Sequence, residues 1–163
     1  AFVKAANITH AKGRIVSLSL SDPFCVDRHR ADFLHLVSGH VDILFANEEE
    51  IISLYKVDDF GAALEAVKEH CKMAVLTRGA NGSVVSAAGK NYMVDSEPIE
   101  HLVDTTGAGD AYAAGFLFGL SQGEDLARCA RIGNIIAAEV VQHMGARSDR
   151  SLKDLIALKL EHA

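Results

Sequence analysis

The sequence predicts an α/β fold in which a mostly parallel sheet is covered by helices on both faces, with an antiparallel addition. Short apolar runs typical of buried strands alternate with amphipathic helical runs, an order that favours parallel pairing. A hairpin pattern occupies residues 83–94, and the last third is mostly helical. With 163 residues and 49% hydrophobic side chains, the chain is long enough for one packed core.

The first half carries the strand and helix alternation. Residues 1–12 look like the end of a helix, and residues 14–20 form the first predicted strand, which Asp22-Pro23 ends because proline disfavours helix in the residue before it. A helix over 27–37 is expected to end at Gly39 as its C-terminal cap. A strand over 41–46 leads to Asn47 as the cap of helix Glu48–Tyr55, and Asp58 is expected to cap a helix reaching about residue 71.

The second half begins with a strand and ends in helices. Met73–Thr77 is a predicted strand, residues 78–82 form a turn, and Ser83–Ala87 pairs with residues 91–94 in a hairpin across Gly89-Lys90. Helices are predicted over residues 111–120, 126–143 and 151–160.

Charge and composition exclude several classes of partner. The net charge of -6 without a Lys/Arg cluster argues against nucleic-acid binding. Cys25, Cys71 and Cys129 are too far apart for a zinc site or a disulfide framework, so a reducing cytoplasm is expected. No apolar run reaches the roughly 20 residues of a membrane span, and the N-terminus does not resemble a signal peptide.

Residues 104–110, Asp-Thr-Thr-Gly-Ala-Gly-Asp, are the most informative segment. Gly107, Ala108 and Gly109 carry little or no side chain, so their amides can approach an anion at a helix N-terminus. A carboxylate at Asp110 would repel a merely bound phosphate, but phosphoryl transfer needs an acceptor for the hydroxyl proton. The alternative is tight packing with an acid that suits the helix dipole. Neither a Walker loop nor a dinucleotide fingerprint fits, since Gly-Lys-Ser/Thr is missing and Tyr112 stands where glycine is required.

Three further motifs follow predicted strands or lie within a helix. Asn47 and Glu50 open a helix, either as a simple cap or as a pair in which Glu50 holds Mg²⁺ through water. The spacing Thr77-x-Gly79-x-x-Gly82 would let a turn lie flat against a nucleotide, although Asn-Gly is also an ordinary hairpin signal. Gly133-Asn134 interrupts a helix, which indicates close approach either by a ligand or by a neighbouring helix.

Together these motifs resemble the ribokinase-type (PfkB) carbohydrate and nucleoside kinases. Residues 104–116 resemble that family's C-terminal signature. Asn47-x-x-Glu50 and Thr77-x-Gly79-x-x-Gly82 match two other motifs of the family, in the family's order. The resemblance implies a three-layer ribokinase-like fold, ATP and Mg²⁺ as cofactors, and a chain that forms the C-terminal portion of one kinase domain over residues 1–163. It implies that Asp110 is the catalytic base and that Gly107 to Gly109 form the anion hole. Asn47 and Glu50 would then bind Mg²⁺ and phosphate, and the nucleotide would be bordered by Thr77, Gly79, Gly82, Thr106 and Asn134. Asp104 and Thr106 match positions that hold a monovalent cation such as K⁺ in some members.

Two phenylalanines favour one branch of this family. The segments around Phe24 and Phe45 resemble the adenosine kinases, in which the corresponding rings pack on the purine. The alternative is that both are core residues at strand ends. The expected activity is phosphorylation of a primary alcohol of a nucleoside, adenosine first, with a ribokinase- or fructokinase-like sugar kinase and an inactive nucleotide-binding module as alternatives. The 163-residue chain by itself is expected to bind ATP weakly and to lack turnover. The expected partner is a small molecule, and a homodimer is left open.

Overall fold

The computed structural model describes residues 1–161, which contain helices and a five-stranded sheet. In chain order the described elements are α1 (Phe2–Ala11), β1 (Ser17–Ser19), α2 (Pro23–Arg28), α3 (Arg30–Gly39), β2 (Ile43–Asn47), α4 (Glu48–Tyr55), α5 (Phe60–Lys68), β3 (Met73–Thr77), a short 3-10 helix (Gly79–Asn81), β4 (Ser83–Ala87), β5 (Lys90–Val94), α6 (Ala108–Ser121), α7 (Leu126–Val140) and α8 (Leu152–Glu161). In the described part of the chain, no helix is both long and apolar enough to cross a membrane.

The sheet follows chain order, β1-β2-β3-β4-β5. β1, β2 and β3 pair in parallel, and the register places Asn47 beside Thr77 at the carboxyl ends of β2 and β3. β4 and β5 are joined by a two-residue turn at Ala88 and Gly89, both with positive φ, and this turn reverses the chain direction. The predicted α/β class with a parallel sheet and an antiparallel addition is therefore confirmed.

The chain divides into two compact units, each with its own packing. The first contains residues 1–78 and 84–91. Its core is aliphatic, because β2 and β3 are buried apolar runs and α4 and α5 each turn an apolar face inward. The largest fully buried side chains of this core are Leu20, Leu44, Ile51, Leu54 and Leu76.

The second unit contains residues 79–83 and the chain from Tyr92 onward, and α6 and α7 dominate it. Glycines let these helices approach closely: a Cβ on Gly133 would lie 2.9 Å from the Tyr112 ring, and one on Gly115 would lie 3.0 Å from the Gly133 Cα. Helix packing thus explains Gly133, which was one of the two readings left open by the sequence. Ile132, Ile136 and Ile156 join α7 to α8.

The structure corrects the prediction around Pro23. Proline does not merely end a strand, since Asp22 accepts a hydrogen bond from the Cys25 amide (2.8 Å) and caps α2 with Pro23 at its first position. The helix predicted over 27–37 was wrong as one element, because His29 leaves the helical region (φ -119°) and separates α2 from α3. The first strand is also shorter than the predicted 14–20.

Three predicted helix ends also differ. Gly39 lies in the last turn of α3, and the C-cap is His40, which is not left-handed (φ -135°). Asp59 rather than Asp58 caps α5, accepting from the Ala62 amide at 2.8 Å. α7 ends at Val140 rather than at His143, because residues 141–150 form an irregular segment held by side-chain contacts.

Candidate functional site

The N-terminus of α6 contains the three residues predicted to bind an anion, Gly107 to Gly109. Its N-cap is Gly107, in the left-handed region (φ 77°, ψ 2°), and no side chain caps it. Ala108 donates its amide to Thr105 O at 3.1 Å, so one of the three predicted anion-hole amides is engaged by the chain. The amides of Gly107 and Gly109 donate to no other residue that the structure describes. Two donors at the positive end of a helix therefore remain for a ligand.

Glycine is required at position 107 for two reasons. L side chains rarely adopt its backbone conformation, and a Cβ there would lie 2.4 Å from the Ala146 Cβ. The segment around Ala146 therefore packs directly on the loop. By contrast, a Cβ on Gly109 would meet open space.

Asp110 lies in the first turn of α6, with its side chain exposed. It lines a cavity of about 590 Å³ whose floor is apolar and comes from α6, α7 and α8. Besides Asp110, the polar side chains lining this cavity are Arg147, Ser148 and Lys153. The carboxylate is thus accessible, beside the open amides, as a proton acceptor must be.

Asp104 holds the loop in shape. Its Oδ1 accepts from the Thr106 amide and its Oδ2 from the Gly145 amide, both at 2.9 Å. The hydrogen bonds from Thr106 and then from Gly145 lower the pKa of this carboxyl below its ordinary value. The predicted monovalent-cation role for Asp104 and Thr106 remains a prediction, since the observed contacts are structural.

A buried carboxylate missed by the sequence analysis anchors residues 141–150. Glu139 is 5% exposed, and its Oε1 accepts from Ser148 Oγ and pairs with His143 Nε2, both at 3.0 Å. Arg150 Nη1 lies 3.5 Å from Glu139 Oε2. Burial opposes ionisation, but the contacts from Ser148, His143 and Arg150 outweigh it and lower the pKa of Glu139. The only sequence signal was an acid within the apolar stretch of α7.

In the first unit, Asn47 and Glu50 form a reciprocal capping box. Asn47 Oδ1 accepts from the Glu50 amide, and the Asn47 amide donates to Glu50 Oε2, both at 2.8 Å. Glu50 is 5% exposed, and burial raises the pKa of its carboxyl. Oε1 accepts no hydrogen bond from the described residues, so one oxygen of a single carboxylate is left, which suits Mg²⁺ held through water. The described residues contain no cluster of three or more His, Cys, Asp or Glu suited to a metal.

Thr77 and Arg78 lie beside this capping box. Register pairs Thr77 with Asn47. Arg78 makes a two-pronged ion pair with Glu48 (3.0 and 3.1 Å) and stacks 4.2 Å above the Phe60 ring. This ion pair was not predicted from the sequence, because its partners are 30 residues apart.

The remaining glycines of this region differ from each other. Gly79 (φ 55°) has open space where a Cβ would point, whereas a Cβ on Gly82 would lie 2.1 Å from Val94 O. Asn134 is 7% exposed, and its Nδ2 donates to Asp95 O at 2.9 Å. Gly82 and Asn134 thus both contact residues 94–95, and their nucleotide roles remain predictions.

The two phenylalanines have different environments. Phe45 is 6% exposed within β2, in agreement with the core reading. Phe24 is 89% exposed in the first turn of α2, so the core reading was wrong for it. An exposed aromatic ring is available for stacking.

Comparisons with known proteins agree on one family. A family model described as pfkB family carbohydrate kinase matches residues 1–153. A probable sugar kinase of Rhizobium etli is 44% identical with a TM-score of 0.94, and an adenosine kinase of Sinorhizobium meliloti is 44% identical with a TM-score of 0.92; each alignment covers 99% of this chain and 49% of the other. An adenosine kinase of Schizosaccharomyces pombe is 31% identical over 142 residues, covering 78% of this chain and 42% of its own length. The chain thus spans about half the length of the relatives it matches.

Proposed function

Because this chain belongs to the pfkB family of carbohydrate kinases, we propose that its protein transfers the terminal phosphoryl group of ATP to a primary hydroxyl of a nucleoside, with adenosine as the first candidate and AMP as its product. Residues 1–163 are then the C-terminal portion of one kinase domain. The free cysteines fit a reducing cytoplasm.

The observation that carries this proposal is Asp110, exposed in its cavity and next in sequence to two amides that have no acceptor among the residues that the structure describes. As the substrate oxygen forms its bond to the γ-phosphorus and the bond from phosphorus to the ADP oxygen breaks, an Asp110 oxygen accepts the hydroxyl proton. The proton passes to water after the phosphorylated product leaves. Asp110 need not be a strong base, because a loose transition state requires little deprotonation before attack.

The α6 N-terminus supplies the electrostatic part of catalysis. The amides of Gly107 and Gly109 donate to the transferred phosphoryl oxygens, where charge spreads as the bond to ADP breaks. Because Asp104 and the contact between Gly107 and Ala146 fix this loop beforehand, the donors need no rearrangement when the substrate arrives.

Asn47 and Glu50 are the residues that would hold Mg²⁺, through water bound to the remaining Glu50 oxygen. When bound, this ion would neutralise charge on the β- and γ-phosphate oxygens. Thr77, Gly79, Gly82 and Asn134 are assigned to the border of the nucleotide, and Asp104 and Thr106 to a K⁺ site.

Phe24 favours a nucleoside as acceptor. A ring that is 89% exposed gains almost no stability from burial in this fold, and a purine would offer it a flat apolar face for stacking. Phe45 stands five positions before Glu50 on the preceding strand, with its ring mostly buried. A sugar acceptor is the second candidate, favoured by the 44% identity to a probable sugar kinase.

The test is a substrate panel on the intact protein as its organism makes it. ADP release is measured with ATP and Mg²⁺ against adenosine, cytidine, ribose and fructose, for the wild type, Asp110→Asn and the control Asp58→Asn. Asp58 is exposed and lies outside the cavity that Asp110 lines. We expect adenosine to be phosphorylated fastest, and Asp110→Asn to lower turnover by a factor on the order of 100 or more with ATP binding retained.

Three results would contradict parts of this proposal. Near-normal turnover of Asp110→Asn would remove the proton-acceptor role. Turnover on ribose or fructose alone would move the acceptor to the sugars. ATP binding without phosphorylation of any acceptor would favour a nucleotide-binding module.

A further inference from the structure

Two cationic side chains in the cavity lined by Asp110 have no partner among residues 1–161. Arg147 and Lys153 both line the cavity and are exposed. Neither forms an ion pair or hydrogen bond with any residue in the described part of the chain, and Asp110 forms no ion pair there either. By contrast, Arg131 and Lys159 of the same unit both pair with Glu97. The cavity therefore offers positive charge that the fold does not use.

Arg147 differs from Lys153 in how its backbone is held. The preceding residue, Ala146, packs against Gly107, and the following residue, Ser148, donates to the buried Glu139 at 3.0 Å. The Arg150 amide donates to Ser148 Oγ at 3.0 Å, and the Gly145 amide donates to Asp104 at 2.9 Å. Arg147 thus lies between two anchored neighbours, and one of them, Ala146, contacts Gly107 in the loop at residues 104–110, here called the anion loop.

This anchoring reduces the entropy lost when the side chain binds an anion. The backbone of Arg147 is already ordered, so only its side-chain rotamers remain to be fixed. A guanidinium can also donate two parallel hydrogen bonds to phosphate oxygens, whereas Lys153 presents a point charge on a flexible stem. Of the two cations, Arg147 is therefore the one suited to a defined phosphate position.

We propose that Arg147 is a phosphate-binding residue of this cavity, which donates to the β- and γ-phosphate oxygens of the nucleotide while the amides of Gly107 and Gly109 bind the group being transferred. This inference rests on the proposed kinase function. It assigns to the irregular segment 141–150 the task of presenting a cation to the anion loop. The fold builds that segment around the buried Glu139 rather than continuing α7.

Calorimetric titration of the intact protein with ATP, ADP, AMP and inorganic tripolyphosphate, in the presence of Mg²⁺, tests the inference. We expect Arg147→Gln to raise the dissociation constants of ATP, ADP and tripolyphosphate about tenfold, the loss typical of one hydrogen bond to a charged group, and that of AMP less than about twofold. Arg147→Lys should recover part of the loss, since it keeps the charge without the fork. The control Arg14→Gln removes the same charge from an exposed arginine outside the cavity and should bind like the wild type.

The outcomes separate this inference from the kinase proposal. Wild-type binding of ATP that Arg147→Gln leaves unchanged overturns the role of Arg147 alone. So does an equal loss for ATP and AMP, or an equal loss in Arg14→Gln, because each points to a general effect of structure or charge. Tripolyphosphate binding that depends on Arg147 in a protein that phosphorylates no acceptor supports the anion site and overturns the kinase. Thermal unfolding of each variant confirms that it is folded.

Discussion

Two helix N-termini carry the residues assigned to phosphate chemistry, and the acids in their first turns have opposite environments. Both α4 and α6 have an acid in the first turn, Glu50 in one and Asp110 in the other. In α4 the acid folds back onto the amide of the N-cap and is 5% exposed. In α6 the acid is exposed and lines a cavity.

The N-cap residue accounts for the difference. Asn47 supplies a side-chain acceptor for the Glu50 amide, and the Asn47 amide donates to the Glu50 side chain, so this capping box engages two amides of the helix terminus. Gly107 has no side chain to act as an acceptor, and within the described chain its own amide and that of Gly109 donate to no residue. Such groups are stabilised by water or by a ligand. The first-turn acid is thus a partner of the N-cap in α4 and a carboxylate open to a ligand in α6.

The largest expected effect comes from closing the α6 terminus with Gly107→Ala. A methyl group there meets both an unfavourable φ of 77° and the Ala146 Cβ at 2.4 Å. We expect a loss of about 2–4 kcal/mol in the free energy of unfolding and loss of tripolyphosphate binding. Urea denaturation and calorimetry measure the two effects.

Gly123→Ala is the matched control for that substitution. Gly123 has nearly the same φ of 79°, but nothing lies within 4 Å of its Cβ position. It should lose only about 1–2 kcal/mol, the cost of the left-handed backbone, and should bind tripolyphosphate normally. Equal losses of stability and of tripolyphosphate binding in the two variants would show that the clash with Ala146 does not cause the effect of Gly107→Ala.

An intermediate effect is expected from Asn47→Ala, which removes the α4 cap. The Glu50 amide loses its acceptor, at a cost of about 1 kcal/mol. Asp59→Ala is the control, since Asp59 caps α5 through one similar bond of 2.8 Å to the Ala62 amide. Both should lower stability alike in thermal unfolding, but only Asn47→Ala should weaken Mg²⁺-dependent ATP binding. Normal binding in Asn47→Ala would leave the Asn47 and Glu50 pair as a cap alone.

Sequence patterns predicted the strands well where burial is continuous. β3 and β4 have the predicted bounds, and β2 begins two residues and ends one residue later than predicted. In β2 and β3 the mostly apolar run by itself indicates a buried strand, and in β4 the neighbouring turn signals fix the bounds. Helix breaks and helix caps were harder to predict. The break at His29 and the capping of α2 by Asp22 depend on backbone geometry that apolar periodicity does not encode.

The candidate site was predictable only in its contiguous parts. The loop at residues 104–110 was recognised because its glycines and acid are adjacent in sequence. Arg147, Lys153 and Glu139 were missed, because they come together with Asp110 or hold its neighbours only through tertiary packing of α6, α7 and α8. Likewise, the surroundings of Gly82 and Gly107 become visible only when the segments opposite them are placed.

The smallest expected effect is on how stability depends on acid pH, and it comes from replacing Asp104, which holds the loop before α6. Because the pKa of Asp104 is lower in the folded protein than its ordinary value of 3.8, its contribution to stability is complete above that value and is lost as the pH falls through the lower folded-state pKa. Asp104→Asn should therefore flatten the fall of the melting temperature as the pH drops below 3.8. It should also weaken tripolyphosphate binding at neutral pH, since the Gly145 amide loses a charged acceptor and the segment that packs on Gly107 loosens. The control Asp149→Asn changes an exposed acid of the same segment and should leave both properties unchanged. If the melting temperature of Asp104→Asn falls with acid pH as in the wild type, the contact between Gly107 and Ala146 orders the loop before α6 without a contribution from this carboxylate.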